Sequence, residues 1–148
     1  MEECFFCDTL GSSEPPEGGW VYESDRFRAF AIPTNPVAGW LCLLTVRHAE
    51  GLDGLDDEES RELGVAIQRI SSAMVDVTGR PATYMFAMPE RVRHFHLAMG
   101  SAPETAPDEP RGGPLLAKVL LKDPSLSDRP EALRLAAQLR EVLARTAG

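Results

Sequence analysis

The side chains able to bind a soft metal or attack a substrate are few: Cys4, Cys7 and Cys42, and His48, His94 and His96. Cys4-Phe5-Phe6-Cys7 is a C-x-x-C pair, a spacing that serves metal binding, thiol–disulfide chemistry or two ordinary buried thiols. Cys42 lies within Leu41-Cys42-Leu43-Leu44 and reads as a small core residue. His94 and His96 stand two apart, so on a strand they share one face, while Phe95, Leu97 and Met99 take the other. Such a strand is either the wall of a site backed by core or a carrier of two partly exposed histidines.

The elements that must position these groups follow from pattern. Residues 8–19, rich in Gly, Ser and Pro, read as a loop. Trp20 to Glu23 and Phe27 to Ile32 are predicted as two short strands around Ser24-Asp25-Arg26. Gly39 to Thr45 is a continuous apolar run of strand length, hence a central strand. Asp56-Asp57-Glu58-Glu59 supplies a capping box for a helix whose apolar stripe is Leu63, Ala66, Ile67, Ile70, Ala73, Met74 and Val77. Gly79 and Pro81 end that helix. Ala82 to Met88 and Arg93 to Met99 are predicted strands. Residues 101–114 carry four prolines and read as a long loop. Pro114 to Leu121 is a short helix and Pro130 to Ala144 a better one. Strands, helix, strands, helix imply an α+β fold with an antiparallel sheet.

The chain has 148 residues, is 43% hydrophobic and 26% charged, and so suits one soluble domain with a real core. A formal charge of −8 argues against a nucleic-acid partner, whose binding rests on Lys and Arg at phosphates. No apolar run is long enough to span a membrane. The acidic start and the odd cysteine count fit a reducing cytoplasm better than a secreted disulfide framework.

Several segments, in order, resemble the histidine triad (HIT) superfamily. Cys4-Phe5-Phe6-Cys7 is similar to the C-x-F-C that opens many bacterial members. Phe27 to Ile32 matches the strand before the family's D-x-x-P-like turn. Gly39-Trp40-Leu41-Cys42-Leu43-Leu44-Thr45-Val46-Arg47-His48 aligns without a gap to G-H-x-L-V-I-P-K-x-H. Tyr84 to Phe86 and Val92 to Met99 fall on the strand pair that ends in H-x-H-x-H. The ungapped register makes His94 the first triad position and His96 the second; the alternative, with Val92 first, requires a gap.

The resemblance implies a HIT-like fold over residues 1–100: an antiparallel sheet of about five strands with one main helix. Residues 101–148 form a Pro-rich loop and C-terminal helical extension packed on the same domain. It implies a structural Zn2+ held by Cys4, Cys7, His48 and His94, a closed tetrahedral set with no position for substrate. It makes His96 the nucleophile of a nucleotidyl hydrolase or transferase, and implies a homodimer and a small-molecule partner. Three departures stand against it. Ala98 replaces the third histidine, Ile32 the aspartate that binds ribose hydroxyls, and Ser101-Ala102 the frequent Pro-Arg. They leave open a HIT-fold enzyme acting on another small molecule, or a non-catalytic zinc-stabilised binding protein.

Overall fold

Strands β2 (Phe27–Ala31) and β3 (Leu41–Thr45) are apolar at nearly every position because both faces of the sheet are covered. In the computed structural model, which describes residues 3–80, 84–104 and 107–146, they are joined by β1 (Tyr22–Glu23), β4 (Tyr84–Phe86) and β5 (His96–Gly100). The five strands run antiparallel in the order β1-β2-β3-β5-β4. Helix α1 is Phe5–Gly11, α2 Asp57–Thr78, α3 Gly113–Leu120 and α4 Arg129–Thr146. The α+β sheet expected from the element order is therefore present, with five strands and one dominant helix, α2.

Strand alternation sorts the core. Phe27, Ala29, Leu41, Leu43, Leu97 and Met99 meet Ile70 and Met74 of α2 and Leu139 and Leu143 of α4. On the opposite face, Phe30, Cys42 and Leu44 lie under Phe6 of α1. Beside them, Trp40 and Ala98 lie under Leu115 and Val119 of α3. C-terminal segments thus cover both faces of the sheet.

Helix α2 begins with the expected capping box. Asp56 Oδ1 accepts the Glu59 N–H at 2.8 Å, and Glu59 Oε2 accepts the Asp56 N–H at 3.0 Å. Gly79 closes it in the left-handed region at φ +69°, a conformation that disfavours other residues. The predicted role of Pro81, and Ala82 and Thr83 of the predicted strand, lie outside the described residues.

Several boundaries differ from expectation, among them these three. Residues 8–19 are not all loop: α1 runs to Gly11, with Cys4 as its N-cap residue. Seven residues give too few turns for a periodic signal, and tertiary packing of Phe6 supplies the stability that so short a helix lacks. The first strand begins at Tyr22 rather than Trp20, whose ring instead packs edge-on to Phe30. The last strand begins at His96 rather than Arg93. The backbone at Phe95 is tied to the loop after β3, its N–H donating to Ala49 O at 2.5 Å and its carbonyl accepting from Thr45 N–H at 3.3 Å.

Candidate metal centre and catalytic histidine

Cys4 and Cys7 sit at the start of α1, where the helical backbone brings both sulfurs to one side. The Cys7 N–H points at Cys4 Sγ at 3.4 Å, a local cap that fixes the first turn. Phe6, between them, is buried against Phe30, Cys42 and Leu44, and so lays the pair onto the sheet.

His94 is completely buried just before β5. Its Nε2–H donates to the Thr45 carbonyl at 2.7 Å, which leaves Nδ1 with a free lone pair. That lone pair faces Cys4 Sγ at 3.4 Å and Cys7 Sγ at 3.5 Å. Burial holds the His94 imidazole below its ordinary pKa, against the hydrogen bond to Thr45. His48 is exposed on the loop after β3, and its Nδ1 lies 3.2 Å from Cys7 Sγ. Its ring meets that of His94 edge-on at 5.0 Å. The Cys7 thiol is pushed up to about 11, first by burial and then by neighbouring Cys4.

The four ligand atoms all lie within 4.8 Å of one another. A tetrahedral zinc bound by sulfur and imidazole nitrogen places its ligand atoms roughly 3.3–3.8 Å apart. Two of the three sulfur–nitrogen separations above, 3.4 and 3.5 Å, fall within that spacing, and the third, 3.2 Å, lies just below it. Two thiols, two imidazoles and a backbone carbonyl fixing the buried ring are the donor set and outer partner that such an ion requires. Cys4, Cys7, His48 and His94 therefore form a cluster that could hold a metal ion. The third cysteine, Cys42, is buried in the core and its thiol is pushed up to about 12 by burial.

His96 opens β5 on the same face as His94, and both rings lean on Phe6, at centroid distances of 4.7 and 5.6 Å. Phe95, Leu97 and Met99 point to the α2 and α4 side, as the alternation predicts. His96 is half-buried, and its Nδ1–H donates to the His94 carbonyl at 2.7 Å. Ala98 follows on the same face and is buried under α3. Ile32 packs against both apolar clusters on that face. Arg91 and Arg93 are exposed, and Arg93 pairs with Glu50 at 3.1 Å.

Two concavities lie away from His96. One of about 50 Å³ is lined by Ala38, Val77, Arg80, Ser101 and Arg134, among others, and one of about 130 Å³ includes Gln68, Ser72 and Val142. Sequence reasoning missed the parts played by Phe6, by the Thr45 carbonyl and by Arg47 with Glu59. Glu59 carried a signal as an acidic residue in the first helical turn, but its second partner is visible only in space.

No family model and no curated protein matches the chain in sequence. Solved structures do match in fold. A hypothetical histidine triad nucleotide-binding protein from Sulfolobus tokodaii is 19% identical, with a TM-score of 0.70 over 96% of this chain and 93% of that one. A zinc-bound histidine triad family protein from Mycobacterium smegmatis is 18% identical, with a TM-score of 0.69 over 98% of this chain and 96% of that one. The diadenosine triphosphate hydrolase of Plasmodium falciparum is 10% identical, with a TM-score of 0.63 over 87% of this chain and 78% of that one. The fold is that of the histidine triad proteins.

Proposed function

We propose that the protein is a zinc-stabilised enzyme of the histidine triad type, in which His96 carries nucleotidyl hydrolysis or transfer. The observation behind this reading is the hydrogen bond from His96 Nδ1–H to the His94 carbonyl, at 2.7 Å. It selects the tautomer with Nε2 unprotonated, the form in which an imidazole is a nucleophile. Nε2 attacks the α-phosphorus of a nucleotide, and an N–P bond forms as the bond from phosphorus to the leaving group breaks. Water then cleaves the N–P bond, releasing the nucleoside monophosphate and restoring His96. An acceptor group in place of water gives transfer.

Cys4, Cys7, His48 and His94 would hold Zn2+. Bound there, zinc supplies a cross-link between the N-terminal helix and the sheet, with all four positions filled by protein. The zinc-bound neighbour supports the metal, and the nucleotide-binding and diadenosine triphosphate hydrolase neighbours support a nucleotide-type small molecule. The edge strand β4, with Met85 44% exposed, supports pairing of two copies through that edge. No helix among the described residues is long and apolar enough to cross a membrane. Three free cysteines, two of them in the candidate metal site, support a reducing cytoplasm.

One observation favours a second reading. The face that carries His96 is apolar beyond it, with Leu115 and Val119 covering Ala98 and with Ile32 where a ribose hydroxyl would need an acceptor. That surface suits a HIT-fold enzyme for a less polar small molecule, or a zinc-stabilised binding protein without catalysis. Incubation with adenosine phosphoramidate, dinucleoside polyphosphates and AMP-lysine analogues separates the readings. Turnover that disappears in His96→Ala supports the nucleotidyl enzyme. Absence of both turnover and calorimetric nucleotide binding moves the assignment to the second reading.

A further inference from the structure

His48 is the exposed member of the metal cluster, and its loop lacks regular structure between β3 and the short helical turn Leu52–Gly54. A ligand in such a place depends on how its backbone is held. On one side stands Arg47. Its Nε donates to Glu59 Oε1 at 2.8 Å, and its Nη2 donates to Glu59 Oε2 and to the Gly54 carbonyl, both at 2.7 Å. On the other side stands Ala49, buried, whose carbonyl accepts the Phe95 N–H next to the His94 ligand.

Glu59 is 3% exposed and already spends one oxygen on the Asp56 N–H, closing the capping box of α2. Its carboxylate therefore connects the start of the longest helix to the residue before His48. The two-pronged geometry is one that a guanidinium, and not an ammonium, provides.

We infer that Glu59 is a positioning residue of the metal centre, acting through Arg47 on the His48 ligand. The inference rests on the zinc reading above. Outer partners that orient a ligand commonly govern metal affinity by about 10–100-fold.

The test uses the full chain loaded with zinc, or with cobalt(II) as a spectroscopic stand-in. Glu59→Gln keeps an oxygen for the Asp56 N–H but removes the charge that grips Arg47. Zinc release to a chromogenic chelator is expected to quicken roughly tenfold in this variant. Its cobalt(II) form keeps the thiolate charge-transfer bands, while the ligand-field bands shift as an imidazole gives way to water. Arg47→Lys is expected to act in the same direction, and serves if Glu59→Gln folds poorly. Asp56→Ala weakens the helix cap and removes a more distant charge from Arg47 but keeps both partners of the Arg47–Glu59 hydrogen bonds, and is expected to quicken zinc release less than Glu59→Gln. Placed on His48→Ala, Glu59→Gln is expected to add nothing.

Parent-like release from both Glu59→Gln and Arg47→Lys overturns the inference alone. So does an undiminished acceleration in the His48→Ala background, or a quickening by Asp56→Ala equal to that of Glu59→Gln. A parent chain that takes up neither zinc nor cobalt overturns the zinc reading and this inference together.

Discussion

The His94 carbonyl accepts the Nδ1–H of His96 at 2.7 Å, so the residue whose ring faces two thiols also orients the next imidazole on its face. One short segment thereby serves two ends. The His94 ring turns its Nδ1 towards Cys4 and Cys7, and its main chain fixes the tautomer of His96.

Removing the metal is expected to loosen the N-terminal helix. With zinc in large excess over its dissociation constant, linkage contributes about 4 kcal/mol, which for a chain of this size corresponds to roughly 10 °C in Tm. Calorimetric melts with and without a chelator check this. Elemental analysis of the parent should give one zinc per chain, and His94→Ala should give none.

His96→Ala should leave the metal content near that of the parent, because the ring is not part of the four-residue cluster, and should lower the melting temperature only modestly through lost packing on Phe6. Any phosphoramidate or dinucleotide turnover should fall by at least 10³-fold, as expected for loss of a nucleophile. Turnover surviving in this variant would remove His96 from the chemistry.

The Glu59 carboxylate is held below the usual range by its hydrogen bonds from Arg47, against the burial that raises it. The sign follows from linkage. A group whose folded pKa is depressed contributes stability that is present above its unfolded value, about 4.3, and lost as pH falls through the folded value. Urea midpoints measured downward from pH 6 should therefore drop on the acid side. In Glu59→Gln the parent's advantage at neutral pH, about 1–2 kcal/mol, should shrink as the pH falls below about 4.

A histidine placed at position 98, two residues beyond His96, should harm the fold. Ala98 is 7% exposed and packed with Trp40, Leu115 and Val119, so an imidazole there is both too large and unpaired. Ala98→His is expected to cost about 2–4 kcal/mol by urea denaturation and to bring no gain in activity. Unchanged stability would mean that α3 yields easily from this face.

Elements with local signals can be read along the chain. The stripe and capping box of α2, the all-apolar β3 and the alternation that parts His96 from Leu97 all follow from spacing along one segment. Spacing left the roles of the cysteines and histidines open; only the resemblance to the histidine triad family singled out Cys4, Cys7, His48 and His94, which the structure brings together. Relations between residues far apart in sequence emerge only on folding. Helix α1 is too short to announce itself, and packing of Phe6 on Phe30 and Leu44 secures it. The Thr45 carbonyl selects the His94 nitrogen left for a ligand, and no side-chain pattern encodes the direction of a carbonyl. Residues 114–121 read only as a short helix, and burial of Leu115 and Val119 against Trp40 and Ala98 puts that helix over the sheet beside His96. Apolar side chains specify that they will be buried but not against what, because the hydrophobic effect has no direction.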